Sequence, residues 1–341
     1  MPISKKNPLR DVLKTQIKSQ RAGFLIGAGS SFLGGEGYPL AFNLWRSIKE
    51  YVEEGLRSDI QSKLDAEAIG IERALDLLDT GMHVEARHRY AVAEAVATHF
   101  ATLAPDLTHH RAFVNLLASL SSRKVTIFSL NYDPLIERAA EQEHIRLFDG
   151  FHGHEAAYFD PTIFGQDIKA VQTGAKGLRG QNIPTWLELI KLHGSLGWYA
   201  CPASGIRRTG FDRKISDPRK RLMIPPQHRK AQDTGNPPYA GLWTEFRGRL
   251  VHGPILLNRL VCVGYGMADE HVNAVIEQAM ARDNFTLIIV TKGLSDEAFE
   301  RWSRYQNAII VTEDRSYNLG KHEAGDAALS TFEGLITELS S

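Results

Sequence analysis

A glycine-rich turn near the N-terminus is the first feature of the sequence that suggests chemistry. Gly27-Ala28-Gly29-Ser30-Ser31 directly follows the apolar run 22–26, which is typical of a buried strand. Glycines in such a turn let the backbone approach a pyrophosphate, whose charge is then met by amide N–H groups. The sequence therefore predicts a dinucleotide phosphate site at residues 27–31. A turn that only joins a strand tightly to a helix is the alternative.

The turn does not complete the pattern of an ordinary dehydrogenase. In G-x-G-x-x-G the third glycine position is occupied by Phe32. The acidic residue that would bind a ribose at the end of a second strand, about 20 residues on, falls at Glu50. That position lies inside a predicted amphipathic helix, whose apolar face over three turns consists of Leu44, Ile48, Tyr51, Val52 and Leu56. Hydride transfer is therefore disfavoured.

Polar side chains follow two further apolar runs. Asn131 and Asp133 come after the run 124–130, and His193 comes after the run 187–192. Asp133 precedes Pro134, so a helix N-cap is an equally good interpretation of its carboxylate. A histidine that titrates near neutral pH can act as a general base, typically contributing ~10²–10⁴-fold. A structural role for a lone histidine is the alternative.

The remaining pattern predicts the fold class. In the C-terminal third, strands alternate with helices, which is typical of parallel βαβ units. We therefore predict an α/β protein with a Rossmann-like, doubly wound parallel sheet, an inserted helical module, an irregular small module and no zinc ribbon. In a single domain spanning residues 1–341, the core comprises residues 20–58, 121–150, 187–200 and 250–341. The helical insertion is 59–120, and the small module is 151–186 with the loop 201–238.

This fold predicts that the polar features meet. Ligands of doubly wound sheets bind at the carboxyl ends of the strands, near the point where the strand order reverses. Four features follow predicted strands, namely residues 27–31, 131–133, 193–195 and the turn Gly264-Tyr265-Gly266. We expect them to share one edge of the sheet.

Composition restricts the class of protein. The 341 residues include 40 basic and 40 acidic side chains, so net charge offers no long-range attraction to nucleic acid. No apolar run approaches the ~18 residues of a membrane span, and the first residues do not resemble a signal peptide. A cytoplasmic protein without membrane contact is the expectation. The two cysteines, Cys201 and Cys262, cannot supply a four-thiolate zinc site.

Two further patterns allow weaker hypotheses. His152-Gly153-His154 and His109-His110 could bind a metal, but no carboxylate or cysteine spacing supports this. Residues 207–230 contain nine Lys or Arg residues and two acidic residues. Such a segment is usually a solvated loop, and the alternative is contact with a partner or with a nucleic-acid backbone. In that case, neutralising Arg219, Lys220 and Arg221 would weaken binding.

Taken in order, four motifs resemble the signatures of the sirtuin-like superfamily. They are Gly27-Ala28-Gly29-Ser30-Ser31, Leu130-Asn131-Tyr132-Asp133, Lys191-Leu192-His193-Gly194-Ser195 and Val263-Gly264-Tyr265-Gly266. Ile224-Pro225-Pro226, Leu242-Trp243 and the run 264–270 are similar to the bacterial branch associated with antiphage defence. The resemblance extends over roughly residues 20–290.

The resemblance implies a role for each matched position. Asn131 would orient the nicotinamide ribose and an attacking water, and His193 would be the catalytic base. Asp133 would contact the carboxamide, while Gly264 and Tyr265 would line the adenosine side with Asp269 nearby. The full set of implied NAD⁺-binding residues is Gly27, Ala28, Gly29, Ser30, Ser31, Asp133, Ser195, Gly264, Tyr265 and Asp269.

The resemblance also contains one departure that bears on the reaction. Protein-deacylating sirtuins carry a zinc ribbon of four cysteines after the catalytic His-Gly, whereas here only Cys201 lies in that region. Deacylation is therefore disfavoured, and water becomes the expected acceptor. The implied activity is that of an NAD⁺ glycohydrolase that releases nicotinamide and ADP-ribose, with NAD⁺ as substrate and no zinc.

The same branch implies a biological setting. An effector that depletes NAD⁺ during phage infection must be restrained, so a homo-oligomer or a partner is expected. In that branch the partners include HerA-like ring ATPases and short Argonaute proteins. The alternative is a non-catalytic subunit that senses NAD⁺ or ADP-ribose, or serves as a scaffold, in a defence complex.

Overall fold

A computed structural model describes most of the chain. The described residues are 8–67, 69–79, 86–120, 124–154, 156–165, 171–174, 177–180, 185–213, 215, 221–224 and 235–340. Of the residues singled out above, Lys220, Arg219 and the pair Pro225-Pro226 lie outside this set.

The described strands form three sheets of nine, five and two strands. They are β1 (Ala22–Ile26), β2 (Lys124–Ser129), β3 (Leu147–Phe148), β4 (Phe151–His152), β5 (Ala157–Phe159), β6 (Val171–Gly174), β7 (Gly177–Gly180), β8 (Trp186–Lys191), β9 (Gly194–Cys201), β10 (Gly205–Arg208), β11 (Arg221–Met223), β12 (Arg259–Val263), β13 (Thr286–Val290), β14 (Ala308–Val311), β15 (Arg315–Asn318) and β16 (Lys321–Ala324).

The described α-helices are α1 (Pro8–Ile17), α2 (Gly29–Phe32), α3 (Ala41–Ile48), α4 (Glu54–Glu67), α5 (Ile71–Leu78), α6 (Arg87–Ala101), α7 (Thr108–Ala118), α8 (Leu135–Gln142), α9 (Tyr239–Arg247), α10 (Glu270–Met280), α11 (Asp296–Ser303) and α12 (Phe332–Ser340). Three 3₁₀ turns (Leu33–Gly35, Lys49–Tyr51, Pro161–Gly165) and a π-helical turn (Gly248–His252) are the other helical elements among the described residues. None of the helices described here combines the length and apolarity needed to cross a membrane.

The large sheet confirms the predicted doubly wound α/β fold. Its order is β16-β15-β14-β13-β12-β1-β2-β8-β3, and all neighbouring pairs from β14 through β3 are parallel. Successive residues of a strand point to opposite faces, so Leu25 packs in one apolar cluster while Phe24 and Ile26 pack in the other. Helices α9, α10 and α11 cover the first face, and α1, α7 and α12 cover the second. The antiparallel hairpin β15–β16, which extends one edge, was not predicted.

The prediction of one continuous helix through Leu44 to Leu56 is wrong. Helix α3 ends at Ile48, a 3₁₀ turn follows, and Val52 is extended, with φ −95° and ψ 135°. Val52 is buried whereas Tyr51 is 44% exposed. The chain therefore leaves the helix in a way that buries the side chain of Val52 and keeps that of Tyr51 at the surface. The break allows this segment to pack against the neighbouring helix α6. Local hydrophobic periodicity carries no information about this tertiary contact.

The expectation of a loop over residues 201–238 is wrong in part. Strands β10 and β11 pair with β9 in a five-stranded sheet whose order is β11-β9-β10-β5-β4. The aromatic rings of Phe151 and Phe159 pack on that of Trp198, with centroids 5.0 and 6.2 Å away. Short strands joined by such non-local contacts have little periodicity of their own, because their apolar face is completed by distant segments.

An ion pair joins the helical segment to this second sheet. The guanidinium of Arg221 on β11 lies 2.9 Å from a carboxylate oxygen of Glu94 on α6 and also donates to the carbonyl oxygen of Leu196. The Arg221 side chain is only 2% exposed. The charge of Glu94 therefore balances a cation that water cannot solvate.

We expect Glu94→Gln to lower the free energy of unfolding by about 2 kcal/mol, because it leaves this buried guanidinium without a counter-charge. Glu270→Gln is the matched control, since the carboxylate of Glu270 is 70% exposed and pairs with Arg301 at the surface. This substitution should lower the free energy of unfolding by less than about 0.5 kcal/mol. Urea unfolding of both variants measures the difference. Equal losses would show that the Arg221 contact contributes no more than a surface pair.

Candidate functional site

The four polar features lie at the ends of four adjacent strands. Strands β12, β1, β2 and β8 are neighbours in this order, and they lead into residues 264–266, 27–31, 131–133 and 193–195 respectively. From β1 the chain proceeds to β2 on one side, while β12 lies on the other side, so the strand order reverses between β1 and β12. This placement at the switch point of the sheet confirms the expectation of a shared edge.

The two glycine turns touch each other through their backbones. The amide of Gly29 donates to the carbonyl oxygen of Gly264 over 2.8 Å. A Cβ on Gly27 would lie 2.7 Å from that same oxygen, and a Cβ on Gly264, whose φ is +63°, would lie 2.4 Å from the Ser30 nitrogen. Glycine is therefore required at these positions by the close approach of the two turns.

This backbone packing accounts for the presence of glycine at these positions even if no phosphate binds there. The amides of residues 27, 29, 30 and 31 each donate to a backbone carbonyl oxygen. Ala28 is the exposed residue of the turn. The alternative of a structural turn thus has direct support, and the phosphate-binding role stays a prediction.

Asn131 links the end of β2 to the turn at residues 27–31 by hydrogen bonds. Its side chain is buried, and Nδ2 lies 3.0 Å from the carbonyl oxygen of Gly27 and 2.9 Å from Oγ of Ser31. Because a carbonyl oxygen only accepts hydrogen bonds, Nδ2 must face it. The remaining polar atom of this amide, Oδ1, is then the one suited to accept a hydrogen bond from a ligand.

Asp133 belongs to the same buried network. Ser31 donates to its Oδ2 over 2.8 Å, and the amide of Leu135 donates to its Oδ1 over 3.1 Å. The N-cap of α8 is Pro134, with no side-chain cap, so the interpretation of Asp133 as the helix N-cap is wrong and its second bond closes a local turn just before α8. Burial raises the pKa of the Asp133 carboxyl, while the Lys191 ammonium and the Ser31 hydroxyl act in the opposite direction.

Lys191 is a member of the site to which the sequence analysis assigned no role. Its ammonium is buried and donates to the Asp133 carbonyl oxygen (2.6 Å), to Glu137 (2.8 Å) and to Oγ of Ser195 (3.2 Å). Ser195 in turn donates to the carbonyl oxygen of Tyr132. The available signal was a cation at the end of a largely apolar buried strand, where it needs a partner.

His193 occupies the tight turn between β8 and β9. Its ring is buried, and Nε2 lies 3.2 Å from Oδ2 of Asp269. The next residue, Gly194, has φ +78°, and a Cβ there would lie 2.3 Å from the Leu222 carbonyl oxygen. Backbone packing thus fixes the position of the histidine.

The loop after β12 is held by a buried asparagine. The hydroxyl of Tyr265 accepts from the Asp269 amide (2.9 Å) and donates to Oδ1 of Asn273 (3.0 Å). Nδ2 of Asn273 donates to the carbonyl oxygen of Met267. Burial raises the pKa of Tyr265 well above its ordinary value, so this phenol stays neutral and acts as a hydrogen-bonding link. Asn273 was missed because a lone asparagine inside a helix has no sequence signature.

The weaker hypotheses find little support in the structure. Among the residues described, no three His, Cys, Asp or Glu side chains form a cluster suited to a metal ion. Burial lowers the pKa of His110 to about 4, and its ring packs on Phe332. In the basic segment, Arg221 is buried against Glu94 and Arg208 pairs with Asp149. Arg221 is thus held inside the protein and not available to a nucleic-acid backbone, while contact through the rest of the segment stays a hypothesis.

Fold and site together define a doubly wound α/β protein with a buried polar site at its switch point. The sequence pattern of the SIR2-like domain family matches residues 125–311, which is more than half of the chain. The chain belongs to this SIR2-like family, whose members are NAD⁺-dependent enzymes. No match to a protein of curated function was found.

Several solved structures are similar over nearly the whole chain. A mutant Sir2 homologue in complex with 2′-O-acetyl ADP ribose is 13% identical, with a TM-score of 0.46, and 97% of this chain and 94% of that one are covered. A second mutant in complex with ADP ribose is 15% identical, with a TM-score of 0.45 and the same coverage. A structure described as the basis for the mechanism and regulation of Sir2 enzymes is 14% identical, with a TM-score of 0.39 and 98% of both chains covered.

Close backbone contact predicts a stability difference within one loop. Gly264→Ala should lower the free energy of unfolding by about 2–4 kcal/mol, because it adds positive-φ strain and a clash with Ser30. Gly266→Ala is the matched control, since a Cβ there meets nothing within 4 Å. Urea unfolding compares the two, and losses within about 0.5 kcal/mol of each other would contradict the close approach.

The raised pKa of Asp133 predicts a pH dependence. The folded state holds this proton more tightly than the unfolded chain, so the stability that Asp133 contributes falls as pH rises from its ordinary pKa of 3.8 through the folded value. We expect the unfolding free energy of the wild type minus that of Asp133→Asn to decrease over this window. Denaturant titrations from pH 3.5 upward measure it, and a difference that increases with pH would contradict the assignment.

Proposed function

We propose that the protein hydrolyses NAD⁺ at the nicotinamide–ribose bond, giving nicotinamide and ADP-ribose. The observation that carries the proposal is the convergence of Asn131 and His193 at the switch-point edge of a SIR2-like chain. An amide acceptor and an imidazole base at the ends of adjacent strands β2 and β8 suit a reaction in which water attacks a positioned ribose.

In the proposed reaction, the C1′–N bond breaks and nicotinamide leaves as a neutral group with the bonding electron pair. Water forms the new bond to C1′, and its proton passes to the imidazole of His193. Oδ1 of Asn131 would hold the water or a ribose hydroxyl, while its Nδ2 stays bonded to the Gly27 turn. The turn would present Ala28 to the pyrophosphate, and Gly264 with Tyr265 would line the adenosine side.

Water is favoured over acyl-lysine as the acceptor. A chain with two cysteines cannot build the four-cysteine ribbon that deacylating sirtuins carry, and here Cys262 is fully buried within β12. The module that helps shape an acyl-lysine channel in those enzymes is therefore not retained. Hydrolysis needs only water at the same carbon.

Restraint of the activity is part of the proposal. Asn131 is 7% exposed and His193 is 4% exposed, so both lie in a site shielded from solvent. An oligomer or a partner protein, such as the HerA-like ATPases or short Argonautes of the defence branch, would restrain turnover in the absence of infection. Depletion of cellular NAD⁺ during phage infection is the proposed outcome.

The test is nicotinamide release from NAD⁺, followed by chromatography for the protein alone and together with the product of its genomic neighbour. His193→Ala should lose about 10²–10⁴-fold in rate, and Asn131→Ala about 10²-fold or more. His322→Ala, on the exposed edge strand β16, is the matched histidine control and should retain the rate.

Two results would contradict the proposal. If both site variants cleave NAD⁺ as fast as the parent, Asn131 and His193 are not the catalytic residues. If calorimetry shows NAD⁺ bound but intact in the presence of the neighbour's product, the protein is instead a sensor or scaffold subunit.

A further inference from the structure

The carboxylate of Asp269 faces two different partners. Its Oδ1 accepts from the amides of His271 and Val272, over 3.0 and 3.4 Å, and so caps the N-terminus of α10. Its Oδ2 lies 3.2 Å from Nε2 of His193. The two oxygens therefore point in different directions, one into the helix and one towards the proposed base.

Both members of the second contact are shielded from water. The side chains of His193 and Asp269 are 4% and 6% exposed. In such surroundings the attraction between an imidazole N–H and a carboxylate is much stronger than at the surface. A carboxylate on one ring nitrogen also selects the tautomer, which determines the nitrogen that is left to accept a proton.

The loop that carries Asp269 is itself held in place. Its amide donates to the Tyr265 hydroxyl, which in turn donates to the fully buried Asn273. Helix α10 therefore supports the carboxylate twice, through the cap and through Asn273. This support is what an orienting group needs, because an orienting carboxylate that moves cannot fix a ring.

We infer that Asp269 is a positioning residue for His193: its Oδ2 faces Nε2 and fixes the orientation of the imidazole that takes the proton in the proposed hydrolysis. The inference rests on the proposed function for its kinetic consequence, although the contact itself does not depend on it. It changes the role implied by the family resemblance, in which Asp269 belongs to the NAD⁺-binding surface. The same carboxylate links the helix α10 to the end of β8 across the switch point.

Substitutions that keep the helix cap but remove the charge test the contact with His193 separately from the cap. Asn and Ser cap helices about as well as Asp, so Asp269→Asn and Asp269→Ser should fold, yet neither presents a charge to His193. Ser295→Ala is the matched control. It removes the side chain that caps α11, a helix outside the site, without altering any residue placed in it.

The decisive measurement is nuclear magnetic resonance of protein with ¹⁵N-labelled histidine rings, which needs no catalytic activity. His193→Gln assigns the His193 signal among the 13 histidines. In the parent and in Ser295→Ala we expect a protonated Nε2, and in both Asp269 variants we expect the Nε2 signal of this ring to move. A His193 signal that is unchanged in Asp269→Asn and Asp269→Ser would overturn the inference.

Kinetics with NAD⁺ separates orientation from substrate contact. We expect both Asp269 variants to lower kcat by about 10- to 100-fold, a part of the contribution of a general base, with KM within about threefold of the parent. A raised KM with unchanged kcat would assign Asp269 to substrate binding, and a raised kcat would make the contact inhibitory. Either result overturns the inference. If the parent does not cleave NAD⁺, the proposed function fails, and the resonance measurement still decides the contact.

Discussion

The contact between two glycine turns is the constraint on which the rest of the site depends. Strands β1 and β12 lie side by side, and the turns that follow them approach until the Gly29 amide binds the Gly264 carbonyl oxygen. Neither turn has room for a Cβ at this contact. Asn131 then bonds to the first turn, and Asp269 extends from the second towards His193. The candidate site residues on four loops are thereby positioned by backbone packing at one edge of the sheet.

Buried polar groups around this contact form one connected network, which has a cost and a benefit. Removing Asp133 and Lys191 from water is unfavourable, and the raised pKa of Asp133 expresses that cost. The cost is offset because each group finds several partners, among them Ser31, Glu137 and Ser195. Such a network has few alternative arrangements, so it holds the strand ends in one geometry. A reaction that depends on the placement of a water and a base requires that precision.

Much of this organisation could be predicted from the sequence, for identifiable reasons. Several of the parallel strands are short apolar runs followed by polar residues, and a buried strand such as β2 shows this pattern locally. Asn131 and His193 were found because each follows such a run directly. The break at Val52, the hairpin β15–β16 and the short strands of the second sheet were not found, because distant segments complete their packing. The pairing of His193 with Asp269 was also missed, since the whole segment from β9 to β12 separates these residues in the sequence and the strand order alone brings them together.

The central claim is that the four loops after β12, β1, β2 and β8 form one NAD⁺-binding site. Hydrogen exchange measured by mass spectrometry, with and without ADP-ribose, tests this claim without requiring turnover. We predict slower exchange in the peptides that contain residues 27–31, 131–133, 193–195 and 264–269, with the Ala28 amide among the protected groups. Protection confined to other segments, or none at saturating ADP-ribose, would contradict the account.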